Sequence, residues 1–240
     1  MASLPYRNQF SGGTVFILGN GKSLNNYDLS KLADKLTFCF NRFYLADVTW
    51  SPVFYTVADE AIIQDYGAEI TRYVKRVAFP MFPKIHPSGV DFRNHVSDEY
   101  ILWYRLNWGN MNWNGLKLFM DNPIFGINGT VASVGIQASI WMGFKTIYLL
   151  GVDMDYVVPA EDNNKNGRDI ISSGDDPNHF TEKYFPEGHR YHYPRVDVML
   201  EGLSYMNRVA KLHGIRIINL NPNSKFTDCE FADYNEVVNV

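Results

Sequence analysis

The sequence lacks a long apolar run, has few cysteines and carries no excess of positive charge, and each shortage excludes a class of protein. No run approaches the ~20 apolar residues of a membrane-spanning helix, so we expect any membrane contact to be peripheral. The two cysteines, Cys39 and Cys229, follow no secretory leader, which favours free thiols and a cytoplasmic location, with the inner face of the membrane as an alternative. The 22 basic residues are scattered through a chain of net charge -4, which excludes nucleic acid as a partner.

Two well-known phosphate-binding motifs are also incomplete. A dinucleotide-binding fingerprint needs a third glycine where Leu24 stands, and an acidic residue near the end of the next strand, where the chain has Asn41. A P-loop needs a glycine five residues before Gly21, where the chain has Phe16. The sequence therefore excludes an NAD site and a Walker-type ATP site.

The most informative stretch is an apolar strand followed by a glycine turn. Val15–Leu18 is typical of a strand buried on both faces, as in the centre of a parallel sheet. Gly19-Asn20-Gly21 follows, and Ser23 is the expected cap of the next turn. Glycines let backbone N–H groups approach an anion, so we expect a nucleotide or nucleotide-sugar site here. A tight turn without a ligand is the alternative.

The rest of the chain alternates strands with helices, which predicts an α/β fold: a Rossmann-like, mostly parallel sheet with helices on both faces. We expect a single nucleotide-sugar-binding domain over residues 1–240, with an irregular lid at about 155–194. Residues 81–122 lack periodicity and are interpreted as a flap. The expected strands after the first are Leu36–Phe40, Pro52–Val57, Val74–Phe79, Lys145–Leu150 and Ile215–Leu220, and the main helices follow Asp59, Thr130 and Arg195.

A second candidate anion site precedes the helix of small residues. Gly129 comes before Thr130, which is the expected cap of that helix, and the hydroxyls of Thr130 and Ser133 are expected to be free for an anion. Close packing of the helix on the sheet explains the same residues equally well. Asn41, at the end of the second strand, is suited to bind a ligand through hydrogen bonds or to close a turn.

Acids and histidines supply the candidate catalytic groups. Asp153-Met-Asp155 follows a buried strand and matches the Asp-x-Asp pattern that holds a divalent metal in many glycosyltransferases; a solvated loop is the alternative. The expected lid carries His179, His189 and His192, and three histidines in one such segment favour a catalytic base among them.

Several of these motifs resemble bacterial sialyltransferases that use CMP-sialic acid. They are Gly19-Asn-Gly-x-Ser-Leu24, Phe38-x-x-Asn41-x-Phe-Tyr44 and Gly143-Phe-x-x-Ile-Tyr-Leu-x-Gly-Val-Asp153, extended by His192 with Asp197 and by Asn221-Pro-Asn-Ser224. Gly129-Thr-Val-Ala-Ser133 is more similar to MptE-like domains, named for a 6-hydroxymethylpterin diphosphokinase. The resemblance spans residues 14 to about 226, but the middle is unmatched.

The resemblance implies roles for individual residues. Asn20, Gly21 and Asn41 would bind the nucleotide phosphate and ribose, Asn128, Gly129 and Thr130 the donor sugar's acid and phosphate, and Gly151 and Asp153 would lie by the nucleoside. Tyr156, one residue out of register, would contact the leaving phosphate, and His189, His192 or His179 would be the base. An arginine that the family has near Asn128 is missing here, which puts sialic acid itself in question.

The resulting expectation is an inverting glycosyltransferase that moves a sugar, such as a CMP-linked nonulosonate, to a hydroxyl of a bacterial surface glycan. It would need no cofactor besides its donor, and a homo-oligomer is compatible with it. The alternatives are a Mg²⁺-dependent diphosphokinase of the pterin type, a metal-dependent transferase using Asp153 and Asp155, and a nucleotide-binding module without catalysis.

Overall fold

The computed structural model describes residues 6–109, 121, 123–164 and 169–239, and within these ranges nine parallel strands form one sheet. In chain order the strands of the molecule are β1 (Thr14–Leu18), β2 (Thr37–Phe40), β3 (Phe54–Thr56), β4 (Phe79–Pro83), β5 (Leu102–Trp108), β6 (Ile124–Ile127), β7 (Thr146–Leu150), β8 (Asn163–Asn164), β9 (Asp169–Ile171), β10 (Arg190–His192), β11 (Arg216–Asn219) and β12 (Glu230–Phe231). The order across the sheet is β12-β11-β7-β1-β2-β3-β4-β5-β6. This confirms the predicted α/β class.

Helices cover both faces of the sheet, as the sequence predicts. The helices are α1 (Glu60–Val74), α2 (Val131–Met142), α3 (Val196–Leu212) and α4 (Tyr234–Val238). Along β1, Val15 and Ile17 join the core formed with α2 and α3, while Phe16 and Leu18 join the core formed with α1 and α4. The strand is apolar throughout because each of its two faces meets a separate core. Within the described ranges, no helix is long and apolar enough to cross a membrane.

The expected strand Val74–Phe79 is wrong. Helix α1 continues to Val74, because Val74 and Ile70 lie one turn apart on the same buried helix face. The strand begins instead at Phe79 and continues through Pro80 to Pro83. Proline lacks an N–H donor and is therefore usually found at the ends or edges of strands. Here β4 pairs with β3 at only two residues, so the ladder on that side is too short to exclude a proline.

The flap interpretation of residues 81–122 is also wrong in part. This stretch contains the end of β4 and all of β5, which lies inside the sheet between β4 and β6. Strand β5 mixes buried and exposed residues and so lacks the continuous apolar run of a central strand. Residues 110–120 and 122 lie outside the described residues.

The expected lid, residues 155–194, is more regular than predicted. Strands β10, β9 and β8 form a small antiparallel sheet in that order within it. An isolated bridge between Gly21 and His179 also joins this segment to the turn after β1. The segment therefore lies against the end of the central sheet, and its movement as a lid stays a prediction.

Candidate functional site

A cavity of about 320 Å³ opens where the parallel strands end. Ligands of open α/β sheets bind at this carboxyl edge, and the volume suits a small organic ligand. The sequence-predicted residues that line it are Gly19, Asn20, Asn41, Gly129, Thr130, Gly151, Tyr156, His179 and His192. The lining does not include Gly21, Ser23, Asn128, Asp153, Asp155 or His189. The structure thus brings together the first group and places the second outside the cavity.

The glycine turn after β1 does not present a row of free amides. The N–H of Gly21 donates to Gly151 O at 2.9 Å, and that of Lys22 donates to Asn178 O at 3.0 Å. A Cβ on Gly19 would lie 2.3 Å from Gly151 O, so glycine is needed because the turns after β1 and β7 touch. The expected phosphate cradle of main-chain amides is therefore wrong for most of this turn.

Ser23 is not the cap that the sequence predicts. A short 3-10 helix over Lys22–Asn26 follows the turn, and no side chain caps it. The Ser23 hydroxyl donates instead to Asp153 Oδ1 at 2.5 Å, and its N–H donates to Asp153 Oδ2 at 2.9 Å. The glycine turn is present as predicted, but Ser23 links the end of β1 to the end of β7 through Asp153 and does not start a helix.

Asp153 and Asp155 differ in their surroundings. Asp153 is buried, and besides Ser23 it accepts a hydrogen bond from Asn221 Nδ2 at 2.8 Å. Asp155 is exposed, beyond Met154 with its left-handed backbone (φ 59°). Among the described residues, no group of three or more histidine, cysteine or acidic side chains is placed to hold a metal ion. Both carboxylate oxygens of Asp153 are therefore already hydrogen-bonded within the fold.

Asp153→Ala should lower the free energy of unfolding by about 1–3 kcal/mol, because the Ser23 and Asn221 donors lose their acceptor in a buried place. Asp155→Ala is the matched control and should change it by less than about 0.5 kcal/mol, since that side chain is exposed. Urea unfolding followed by circular dichroism measures both. Equal losses in the two variants would contradict the placement of Asp153.

Asn20 and Asn41 bring unpartnered acceptors to the cavity. Asn20 Nδ2 donates to Phe40 O at 3.2 Å, which fixes the orientation of the amide, and the buried Oδ1 has no partner among the described residues. Asn41 has a left-handed backbone (φ 49°), and within the same part of the chain its buried Oδ1 also has no partner. A buried acceptor without a donor is costly. The two oxygens suit a ligand that donates hydrogen bonds, such as a ribose or a base amine, and not a phosphate.

Most polar side chains at the start of α2 are hydrogen-bonded or packed within the fold. Thr130 Oγ1 accepts from Ala132 N at 3.3 Å and so caps the helix as predicted. The Ser133 hydroxyl is buried and donates to Thr130 O at 2.7 Å, so the expectation that both hydroxyls are free is wrong. A Cβ on Gly109 or Gly202 would meet the Asn128 side chain, which is therefore packed between these two backbones.

His179 has the arrangement of a general base. Its Nδ1 lies 2.8 Å from Asp176 Oδ2, and its ring stacks on Tyr184 with centroids 3.8 Å apart. Asp176 is buried, and its Oδ1 accepts from the backbone N–H groups of Asn178 and His179. Because the carboxylate holds Nδ1, the proton-accepting position falls to Nε2, which has no partner among the described residues. This is the geometry of an aspartate–histidine pair.

His192 is held between two carboxylates. Its Nδ1 lies 2.9 Å from Asp169 Oδ1, and its Nε2 lies 3.3 Å from Glu60 Oε1, an ion-pair distance without full hydrogen-bond alignment. The contact with Glu60 raises the pKa of His192, although burial alone would lower it. His192 is therefore favoured as a cation, which does not suit a general base.

Glu60 links His192 to a further histidine. Its carboxylate is buried and also pairs with His86 Nδ1. Burial raises the pKa of Glu60, but the hydrogen bonds and charges of His192 and His86 outweigh burial and hold that pKa far below its ordinary value. The network Asp169–His192–Glu60–His86 thus keeps a buried carboxylate ionised at the cavity wall.

His189 and Tyr156 differ in position. His189 lies outside the cavity lining, stacked on Phe185 and 3.1 Å from Asp65 Oδ2, and burial lowers its pKa. Tyr156 lines the cavity, and burial together with the nearby Asp153 raises the pKa of Tyr156 to about 12, so its hydroxyl stays a donor. The structure therefore favours Tyr156, and not His189, as a group that meets a ligand.

Several residues of this site were missed by reasoning from the sequence. They are Glu60, His86, Trp108, Asp169, Asp176 and Tyr184. Asp176 stands three residues before His179, and that spacing was an available signal. Glu60 follows a helix cap and resembles an ordinary first-turn acid, so nothing local distinguishes it.

Comparison with solved structures identifies the fold. The MAf glycosyltransferase from Magnetospirillum magneticum AMB-1 superposes with a TM-score of 0.57 at 16% sequence identity, over 98% of this chain and 36% of that protein. The sialyltransferase CstII from Campylobacter jejuni, solved with cytidine-5'-monophosphate, gives a TM-score of 0.42 at 16% identity, over 92% of this chain and 85% of that one. A CST-II structure with a trisaccharide acceptor and CMP gives 0.44 at 19% identity, over 92% and 86%.

This chain thus shares its fold with part of the MAf glycosyltransferase and spans about a third of the length of that protein. No protein-family model and no curated protein sequence matches it. The likeness to MptE-like domains stays a prediction from the sequence.

Proposed function

We propose that this protein is an inverting glycosyltransferase that moves a sugar from a nucleotide donor to a hydroxyl of a glycan. The observation that carries the proposal is that His179, held by Asp176, lines the same cavity as the two unpartnered asparagine oxygens of Asn20 and Asn41. Sugar transfer from a nucleotide requires a general base and groups that bind the nucleoside in the same cavity. The motif resemblance to sialyltransferases supports CMP and an acidic sugar.

In the proposed reaction His179 Nε2 accepts the proton of the acceptor hydroxyl. The acceptor oxygen forms a bond to the anomeric carbon as the bond from that carbon to the phosphate oxygen breaks. CMP leaves with the electron pair, and direct displacement inverts the anomeric centre. Asp176 keeps the imidazole oriented and stabilises its protonated form.

The leaving phosphate needs a donor that does not itself titrate. Tyr156 fits because burial, with Asp153, raises the pKa of this tyrosine to about 12 and so keeps its hydroxyl protonated. His192 contributes differently: its charge offsets Glu60 and Asp169, which would otherwise repel the anionic donor. Gly129, Thr130 and Gly151 complete the wall of the cavity.

A ligand panel with a chelator arm tests the proposal. CMP should raise the unfolding temperature more than UDP, GDP, ATP or a pterin, since a ligand that binds only the folded form adds ~2.7 kcal/mol at a hundredfold excess over Kd. Transfer from a CMP-sugar should persist in EDTA, because Asp153 and Asp155 are not placed to share a metal.

Other results of that panel would favour the alternatives. Activity lost in EDTA and restored by Mg²⁺ would favour the diphosphokinase or the metal-dependent transferase. Tight CMP binding without turnover of any donor would favour a nucleotide-binding module. A cytoplasmic location, peripheral membrane contact and a homo-oligomer stay predictions from the sequence.

A further inference from the structure

We propose that Trp108 and Tyr193 form the acceptor subsite, where their rings stack on a pyranose ring of a saccharide. The inference rests on the proposed function, because it assigns the second substrate of the same cavity. Both side chains line the cavity, yet 52% of Trp108 and 45% of Tyr193 is exposed. Aromatic rings that line a cavity and are also about half exposed can stack on a ligand that enters it.

Trp108 and Tyr193 are connected through the residues around Glu60. The Trp108 ring contacts His86 edge-on, with centroids 5.2 Å apart, and His86 pairs with Glu60. Glu60 in turn lies 3.3 Å from His192, whose neighbour along the chain is Tyr193. These contacts therefore connect Trp108 to His192, the residue that directly precedes Tyr193.

The nucleoside end lies elsewhere along the sheet. Asn20 follows β1, whereas Trp108 is the last residue of β5, four positions away in the strand order. At ~4.8 Å between neighbouring strands, four positions correspond to roughly 19 Å. That distance accommodates a nucleoside monophosphate, its sugar and the first ring of an acceptor in a row.

Neither ring is stacked in parallel on another aromatic ring among the described residues. Within this part of the chain, Tyr193 makes no ring contact, and Trp108 makes only the T-shaped contact with His86. The negative face of an aromatic ring attracts the polarised C–H groups on one face of a pyranose. Carboxylate and imidazole groups of Glu60, His86 and His192 lie beside the rings and suit the hydroxyls of the same sugar. A saccharide matches both features, whereas an extended peptide offers no flat C–H face.

Saturation-transfer NMR tests the subsite without requiring turnover. The probes are the methyl glycosides of glucose, galactose, mannose and N-acetylglucosamine, each added to protein saturated with CMP. The wild type should show transfer to at least one glycoside. Trp108→Ala and Tyr193→Ala should each raise its Kd by about five- to tenfold. Tyr100→Ala is the matched control, because Tyr100 is 71% exposed but lies outside the cavity lining.

The outcomes separate the subsite from the proposed function. A calorimetric titration of CMP into the wild type tests the nucleotide site by itself, and failure to bind overturns the proposed function. No glycoside signal with the wild type, unchanged affinity in both variants, or an equal loss in Tyr100→Ala overturns the acceptor subsite. Transfer to a serine or threonine peptide with no glycoside binding would also overturn it.

Discussion

Replacing His179 by alanine should lower kcat for sugar transfer by ~10²–10⁴-fold, the range that general-base catalysis contributes. Asp176 holds Nδ1 of this ring, so the alanine variant removes a cavity-lining imidazole whose Nε2 is left to accept a proton. The Kd for CMP should change little, because the unpartnered acceptors assigned to the nucleoside belong to Asn20 and Asn41. Steady-state kinetics and calorimetry measure the two quantities.

Two further variants make the result specific to His179. His189→Gln is the control, since His189 lies outside the cavity lining and contacts Asp65. It should leave kcat within a few-fold, because the side chain does not line the cavity. Asp176→Asn should give an intermediate loss and shift the pH–rate profile, because the amide no longer stabilises the protonated imidazole. Full activity in His179→Ala, with activity lost in His189→Gln, would contradict the assignment.

The sequence predicts the fold well because the strongest signals are local. The apolar run Val15–Leu18 and the caps Asp59 and Thr130 each depend on neighbouring residues, and the structure has all of them. Strand β5 was missed because its burial depends on β4 and β6, which lie beside it only in the folded sheet. The predicted strand start at Val74 was wrong because an apolar residue on a buried helix face resembles the first residue of a strand.

The site is predicted less well because its chemistry depends on contacts between distant residues. The glycine turn after β1 looks like an anion site, yet Gly21 and Lys22 donate to residues more than a hundred positions away. Asp153 likewise looks like a ligand-binding acid when only its neighbours in the sequence are considered. Its hydrogen-bond partners, however, are Ser23 and Asn221, which lie far away in the sequence. Polar residues at strand ends can therefore be found from the sequence. Whether they hydrogen-bond within the fold or to a ligand depends on tertiary packing.

The second large effect is expected at His192. His192→Gln should weaken CMP binding on the order of 10–100-fold, because Glu60 and Asp169 lose the cation between them. A carboxylate about 8 Å from a phosphate, at an effective dielectric constant of about 20, costs roughly 2 kcal/mol. Each 1.4 kcal/mol is about tenfold in Kd. Calorimetry at low ionic strength measures the loss, which added salt should reduce.

The pH dependence has a definite sign. Glu60 raises the pKa of His192 in the folded protein, so the stabilisation from this contact is fully present below the unfolded value of about 6.5. It is lost as the pH rises through the raised, folded value. CMP affinity should fall over the same interval, because deprotonation leaves both carboxylates without their cation. In His192→Gln this step in the pH profile should be absent.

A second substitution distinguishes the loss of the His192 charge from the loss of its side-chain shape as the cause of weaker CMP binding. Glu60→Gln in the His192→Gln background removes the carboxylate that the first change left without a cation, so part of the CMP affinity should return. If His192 instead bound the donor directly, the double variant would bind CMP no better than His192→Gln. The paired change must also be compared by urea unfolding, because Glu60 is buried beside His86 and its removal alters a packed network. Recovery of affinity without recovery of stability would assign the effect to electrostatics at the cavity wall.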